Sequence, residues 1–205
     1  VDATTGAILG SAVRASETVT FAFYKRGQLL FPGRGCCGEV LVHPLSDAEE
    51  EDGLVSLFSR EDAARLLPAR PADSHKGKNG RALLCVGSRN LPGAALLSPA
   101  ACLRAGAGLT TAAVPGAVKS AFSTLPEAMA VPVNDGAEWD DDACRAAIAQ
   151  LAQKNAVCVG CGVGEGNILP LIASVLASKI PTVLDADALN QLAKSPETLS
   201  HLHKS

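Results

Sequence analysis

From His75 to Leu109 the chain reads HKGKNGRALLCVGSRNLPGAALLSPAACLRAGAGL. A basic, glycine-punctuated entry leads into a short apolar strand. The strand opens into a Gly/Ser/Asn/Pro loop, and a helix of small residues returns the chain to a second apolar strand. That order demands a βαβ unit, and a βαβ unit demands a parallel sheet covered by helices. In such folds the loops at the carboxyl ends of the strands, next to helix amino ends, receive phosphate-bearing or nucleotide-like ligands.

The rest of the chain extends the pattern. The sequence predicts strands at Ala82–Val86, Gly108–Val114, Ala128–Val133, Ala156–Gly160 and Thr182–Leu184. Pro132 assigns the third of these to an edge. Helices are expected over Asp140–Gln153, with acids in the first turn to suit the helix dipole, over Ile168–Ser178 and from Asp187 onward. Ser98-Pro99 offers an N-cap and an N1 proline for a helix stopped by Gly106. Ser59 and Asp62 form a capping box for a short helix ending near Leu67. The fold class is therefore α/β, with a mostly parallel sheet and helices on both faces.

Residues 1–43 read differently. Thr18–Tyr24, Gln28–Phe31 and Glu39–Val42 have the look of short strands joined by turns. Residues 44–53 are acidic and turn-rich, as linkers are. The division is thus 1–43, a linker at 44–53, and 54–205.

Composition excludes several classes. A net charge of −3 argues against a nucleic-acid surface. No run approaches the roughly 20 apolar residues of a membrane helix. Seven scattered cysteines, an odd number, suit reduced thiols in the cytoplasm rather than a disulfide framework. The start at Val1, without an initiator Met or a basic n-region, reads as a start inside a longer frame.

Three loops carry candidate chemistry. Gly87–Ala94 follows a strand and precedes a helix. Gly160-Cys161-Gly162-Val163-Gly164-Glu165-Gly166 departs from a dinucleotide fingerprint at Glu165 and lacks the Lys-Ser/Thr of a P-loop. It remains a backbone-lined anion or sugar site, or a plain loop. Asp185, Asp187 and Asn190 follow a strand and suit sugar hydroxyls, a metal-bound water or a proton; alternatively Asp187 only caps the next helix. Cys158 and Cys161 form a CxxC with no second pair for zinc. No metal ligand set is expected, and His43, His201 and His203 make no triad.

HKGKNGRALLCVGS, LPGAALL, LRAGAGLTTAAVP, LPEAM, the GCGVG loop and PTVLDADALNQLA occur in this order. Together they resemble the ADP/ATP-dependent NAD(P)H-hydrate dehydratase family, the C-terminal half of YjeF-type bifunctional nicotinamide nucleotide repair proteins. Residues 1–43 resemble the last segment of the epimerase domain of those proteins. The resemblance implies a ribokinase-like three-layer αβα fold, incomplete in this chain. It implies dehydration of hydrated NADH or NADPH through phosphorylation by ATP or ADP, with Mg2+. K+ would belong only to an epimerase site upstream of Val1. It implies a homo-oligomeric intact protein and no nucleic-acid or membrane partner.

By position, the resemblance assigns dinucleotide contacts to Gly93, Ala94, Gly160 and Gly162. Asp185, Asp187 and Asn190 line the same crevice, and Lys76 is a candidate phosphate neighbour. The glycine loop departs from the family's Gly-Pro-Gly-Leu-Gly, with Cys161 in place of proline. Pro99 stands where the family has a helical Ala. The family's His-Pro-Gly-Glu and Gly-Ser-Gly-Asp segments, the latter holding the presumed catalytic Asp, would fall beyond Ser205. The expectation is an inactive fragment with an unpaired sheet edge. A ribokinase-like small-molecule kinase, a non-catalytic dinucleotide-binding module and, more remotely, a thiol or zinc module are the rival readings.

Overall fold

The computed structural model describes residues 1–45 and 55–201, so most of the acidic linker, and His203, lie outside the described residues. The chain forms two compact units, Val1–Pro68 and Ala69–Ser205.

In the first unit, β1 (Glu17–Phe21) pairs in parallel with β2 (Glu39–His43), Glu17 opposite Glu39 and Phe21 opposite His43. Two single-turn helices, α1 (Arg26–Leu29) and α2 (Arg34–Cys37), connect them. The strand expected at Gln28–Phe31 is therefore a helical turn. Local bonds decide this: Gln28 Oε1 accepts the Lys25 N–H at 2.9 Å, and the Leu30 N–H returns to the Arg26 carbonyl at 3.1 Å. Helix α3 (Arg60–Leu66) also belongs to this unit. Its capping box is complete: the Asp62 N–H donates to Ser59 Oγ at 3.1 Å, and the Ser59 N–H to Asp62 Oδ2 at 2.9 Å. Those bonds hold the Asp62 carboxyl below its usual pKa.

The second unit holds a five-stranded, wholly parallel sheet. Its strands are β3 (Arg81–Cys85), β4 (Leu109–Val114), β5 (Met129–Pro132), β6 (Ala156–Val159) and β7 (Thr182–Leu184), in spatial order β5-β4-β3-β6-β7. β5 and its Pro132 lie at one edge, as expected. The connections are α4 (Pro92–Ala105), a 3₁₀ segment (Gly116–Thr124), α5 (Asp141–Ala149) and α6 (Leu169–Ala177); α7 (Asp187–Lys194) and a second 3₁₀ segment (Pro196–His201) follow β7.

Strand alternation sorts the side chains into two cores. Leu83, Cys85, Val157 and Val159 pack with Ala143 and Ala147 of α5, Leu171, Ile172 and Val175 of α6, and Ala188 and Leu192 of α7. On the other face Leu84, Val86, Ala112 and Val114 pack with Ala95 of α4 and with Val118 and Phe122. The sheet is thus sandwiched between helical layers.

Two helix boundaries correct the sequence reading. Helix α4 begins at Pro92, not at Ser98-Pro99, and Pro99 sits inside it. Ala95 and Pro99, one turn apart, are both buried, so packing overrides the proline penalty. Ser98, which looked like a cap, donates its hydroxyl back to the Ala94 carbonyl at 2.9 Å. The helix stops at Gly106, as expected. Helix α5 ends at Ala149 rather than Gln153. Its N-cap is Asp140, whose Oδ1 accepts the Ala143 N–H at 2.7 Å, and Asp141 and Asp142 fill the first turn.

Candidate functional site

The strand order creates one topological switch. From β3 the chain moves outward to β4 and β5, then returns to place β6 on the other side of β3. The loops leaving the carboxyl ends of β3 and β6 therefore diverge, and the crevice between them is where open parallel sheets take ligands. Residues 86–91 form the first loop and 160–167 the second.

These loops touch. The Gly87 N–H donates to the Cys161 carbonyl at 2.9 Å. Gly162 has φ +70°, and a Cβ there would stand 2.5 Å from the Ala94 Cβ and 3.3 Å from the Leu91 carbonyl oxygen. Only glycine fits such a backbone in that space. At Gly160, with φ +120°, a Cβ would overlap the Asp185 carbonyl oxygen, so the loop also lies directly on the β7–α7 junction.

Helix α7 holds the glycine loop from below. Asp187 Oδ2 accepts the Gly164 N–H at 2.8 Å. One turn on, Gln191 Oε1 accepts the Ile168 N–H at 3.0 Å, and its Nε2 donates to the Gly166 carbonyl at 2.6 Å. Asn190 Nδ2 donates to Asp187 Oδ1 at 3.3 Å. The alternative role for Asp187, capping its own helix, is not the one it takes. Ala186 occupies the N-cap position without a side-chain cap, and the Asp187 carboxylate turns to the loop. Asp185 is exposed, and its Oδ2 accepts a hydrogen bond from the Cys161 thiol at 3.3 Å. The first loop has its own anchor: buried Trp139 donates its indole N–H to the Gly87 carbonyl at 2.8 Å.

An open cavity of about 950 Å³ lies beside these groups, lined by Gly164, Glu165, Asp187, Asn190, Gln191 and Lys194 among others. Burial pushes the Cys158 thiol up to about 12, with Cys161 beside it as a further cause. Burial likewise raises the Cys85 thiol. Both thiols are therefore protonated at ordinary pH. Among the described residues no three His, Cys, Asp or Glu side chains gather to hold a metal ion.

The structure thus brings Ala94, Gly160, Gly162, Asp185, Asp187 and Asn190 together. Gly93 and Ala94 belong to the first turn of α4 rather than to a turn before it, and Gly93 faces open space, with nothing within 4 Å of an added Cβ. Lys76 is not brought to the crevice. It precedes the amino end of β3, where its carbonyl lies against Gly108, so a whole strand of roughly 16 Å separates it from the loops. Sequence reasoning missed Gln191 and Trp139. The spacing Asp187-x-x-x-Gln191, one helical turn, was the available signal for the first; nothing local marked the second.

Comparison with known proteins bears on this geometry. A family model described as NAD(P)H-hydrate dehydratase matches residues 82–205. The bifunctional NAD(P)H-hydrate repair enzyme Nnr of Moorella thermoacetica is 33% identical over 99% of this chain and 40% of its own length. The Nnr of Coxiella burnetii is 35% identical over 96% of this chain and 40% of its own. The chain thus spans about 40% of the length of these relatives. Among solved structures, the ADP/ATP-dependent NAD(P)H-hydrate dehydratase of Bacillus subtilis, co-crystallized with ATP/Mg2+, is 32% identical with a TM-score of 0.56, covering 66% of this chain and 47% of that one. A ribokinase-like superfamily protein of Enterococcus faecalis is 27% identical with a TM-score of 0.54, covering 63% of this chain and 45% of that one. The fold is ribokinase-like α/β.

Proposed function

The chain belongs to the NAD(P)H-hydrate dehydratase family, and on that footing we propose that the crevice above β3, β6 and β7 binds hydrated NADH or NADPH for dehydration. The observation that carries the reading is the packing of Gly162 on Ala94. Two positions assigned to the dinucleotide by the resemblance, 68 residues apart in sequence, meet at a topological switch.

In this reading the first-turn amides of α4 at Gly93 and Ala94 and the backbone of the glycine loop receive the pyrophosphate and ribose. Asp185 and Asn190 offer an acceptor and a mixed donor–acceptor to sugar hydroxyls. Asp187, engaged by Gly164 and Asn190, is a positioning residue. Lys76 has no part in it. ATP or ADP serves as phosphoryl donor, with Mg2+ accompanying the nucleotide. Phosphorylation converts the ring hydroxyl into a phosphate leaving group, which the ring nitrogen lone pair helps expel. The protein's contribution is orientation and electrostatic stabilisation. The described residues supply no metal ligand set, and no step here depends on one.

Residues 1–43 are, in the same proposal, the closing segment of an epimerase domain, joined through residues 44–53 to a dehydratase portion at 54–205. The alignment with bifunctional enzymes over 99% of this chain supports two portions; the dehydratase model begins at residue 82 and the boundary between the compact units falls after Pro68, both later than residue 54. Seven free cysteines support a reducing, cytoplasmic setting. Among the described residues, no helix is long and apolar enough to cross a membrane.

Calorimetric titration with hydrated NADPH, set against sugar and vitamin alcohols, tests the reading. Saturable binding of the hydrated dinucleotide at one site is expected. Binding of an alcohol instead, with ATP-dependent formation of a stable phosphate ester, would favour the kinase reading.

A further inference from the structure

Cys158 and Cys161 are unused by the function proposed above, yet they meet at its floor. Cys158 lies in β6 and Cys161 two residues past the strand's end, after the turn at Gly160. Their sulfurs are 3.9 Å apart, in van der Waals contact. The Cys161 backbone is fixed from outside the pair, because its carbonyl accepts the Gly87 N–H at 2.9 Å. A disulfide needs the sulfurs to close from this contact to a bond of about 2 Å. Cys102 is occupied elsewhere: it accepts the Thr110 hydroxyl at 3.6 Å. In the family's Gly-Pro-Gly-Leu-Gly pattern Cys161 is a proline, so the pair distinguishes this chain from the pattern it otherwise follows.

We propose that Cys158 and Cys161 are an oxidisable dithiol, a modification site that peroxide-class oxidants close into a disulfide at the base of the glycine loop. Cys161 reacts first, because it stands at the loop while Cys158 is set into the strand. Its sulfur attacks the peroxide; the S–O bond forms as the O–O bond breaks, and one water leaves with the thiol proton. The Cys158 sulfur then attacks the Cys161 sulfenic acid. The S–S bond forms, the S–O bond breaks, and the departing hydroxide takes the Cys158 proton as a second water. Two thiols are oxidised by two electrons in all, and one peroxide is reduced to two waters. Closure also consumes the thiol hydrogen that Cys161 donates to Asp185 Oδ2 at 3.3 Å, so the carboxylate loses that partner.

The test is peptide mapping of the folded 205-residue chain, treated with hydrogen peroxide, alkylated and digested with trypsin. Cleavage after Lys154 and Lys179 releases residues 155–179, whose only cysteines are Cys158 and Cys161. The expected product is this peptide two hydrogens lighter, free of alkylating reagent, and restored by dithiothreitol. Cys102→Ser leaves that product unchanged. Recovery of both cysteines alkylated overturns the proposal, as does Cys161 carried to sulfinic acid beside an alkylated Cys158. A disulfide from either residue to Cys102 does the same.

Discussion

The Gly164 N–H donates to Asp187 Oδ2 at 2.8 Å, so the first residue of α7 fixes the conformation of the loop that follows β6. Asp187→Ala leaves that amide without its partner and is expected to cost about 1–3 kcal/mol, with a weaker affinity for hydrated NADPH. Asp187→Asn keeps an acceptor oxygen and should lose less of both. Urea unfolding and calorimetric titration of the two variants check this; equal losses in Ala and Asn would remove the loop-holding role.

Gly162→Ala forces a side chain onto a backbone at φ +70° and against the Ala94 Cβ. The strain is expected to cost about 1–3 kcal/mol and to open the two loops, so dinucleotide affinity falls with stability. Urea midpoints measured with and without hydrated NADPH follow both effects.

Both the alternation of the second unit and its errors were physical. Ala82–Val86 and Ala156–Gly160 could be read as strands because an apolar run buried on both faces has no other use at that length. The three-residue strand Thr182–Leu184 continues the same alternation. The start of α4 could not be read, because Ser98-Pro99 offers both an N-cap and an N1 proline, and the burial of Ala95 and Pro99 on one face overrules it. Gln28 failed for the same reason in reverse, a local side-chain bond outweighing an apolar neighbourhood. In the site, the glycines and Asp185 announced themselves by composition at strand ends. Lys76, a candidate from the resemblance alone, precedes β3 and so lies a strand's length from these loops. Gln191 and Trp139 stayed hidden because they act on loop carbonyls and amides, which the sequence does not display.

Alkaline pH should destabilise the second unit. Burial raises the Cys158 thiol to about 12 in the folded state, against about 8.5 for an unfolded cysteine. The unfolded chain therefore ionises first, and stability is complete below the unfolded value and drains away as pH rises from there toward the folded one. Cys85, raised by burial as well, adds to the loss. Thermal midpoints between pH 8 and 11 should fall, and fall less steeply in Cys158→Ala than in the parent chain; parallel slopes would contradict the assignment to this thiol.

The edge strand β7 pairs only with β6 among the described residues, and Val183 on it is 62% exposed. An apolar, unpaired edge invites association. Sedimentation velocity is expected to find concentration-dependent self-association that Val183→Lys reduces; a monomer at every concentration would refute it.

The central question is whether the crevice takes the hydrated dinucleotide. Gly93→Asp asks this directly. The position is open, and an acid in the first turn of α4 favours the helix by about 0.3–1 kcal/mol, so the fold should be at least as stable as the parent. The same carboxylate faces the expected pyrophosphate. Titration with hydrated NADPH should give single-site binding in the parent chain and at least about a tenfold weaker Kd in Gly93→Asp, or about 1.4 kcal/mol. No binding by the parent, or an unchanged Kd in a stably folded Gly93→Asp, would contradict the account.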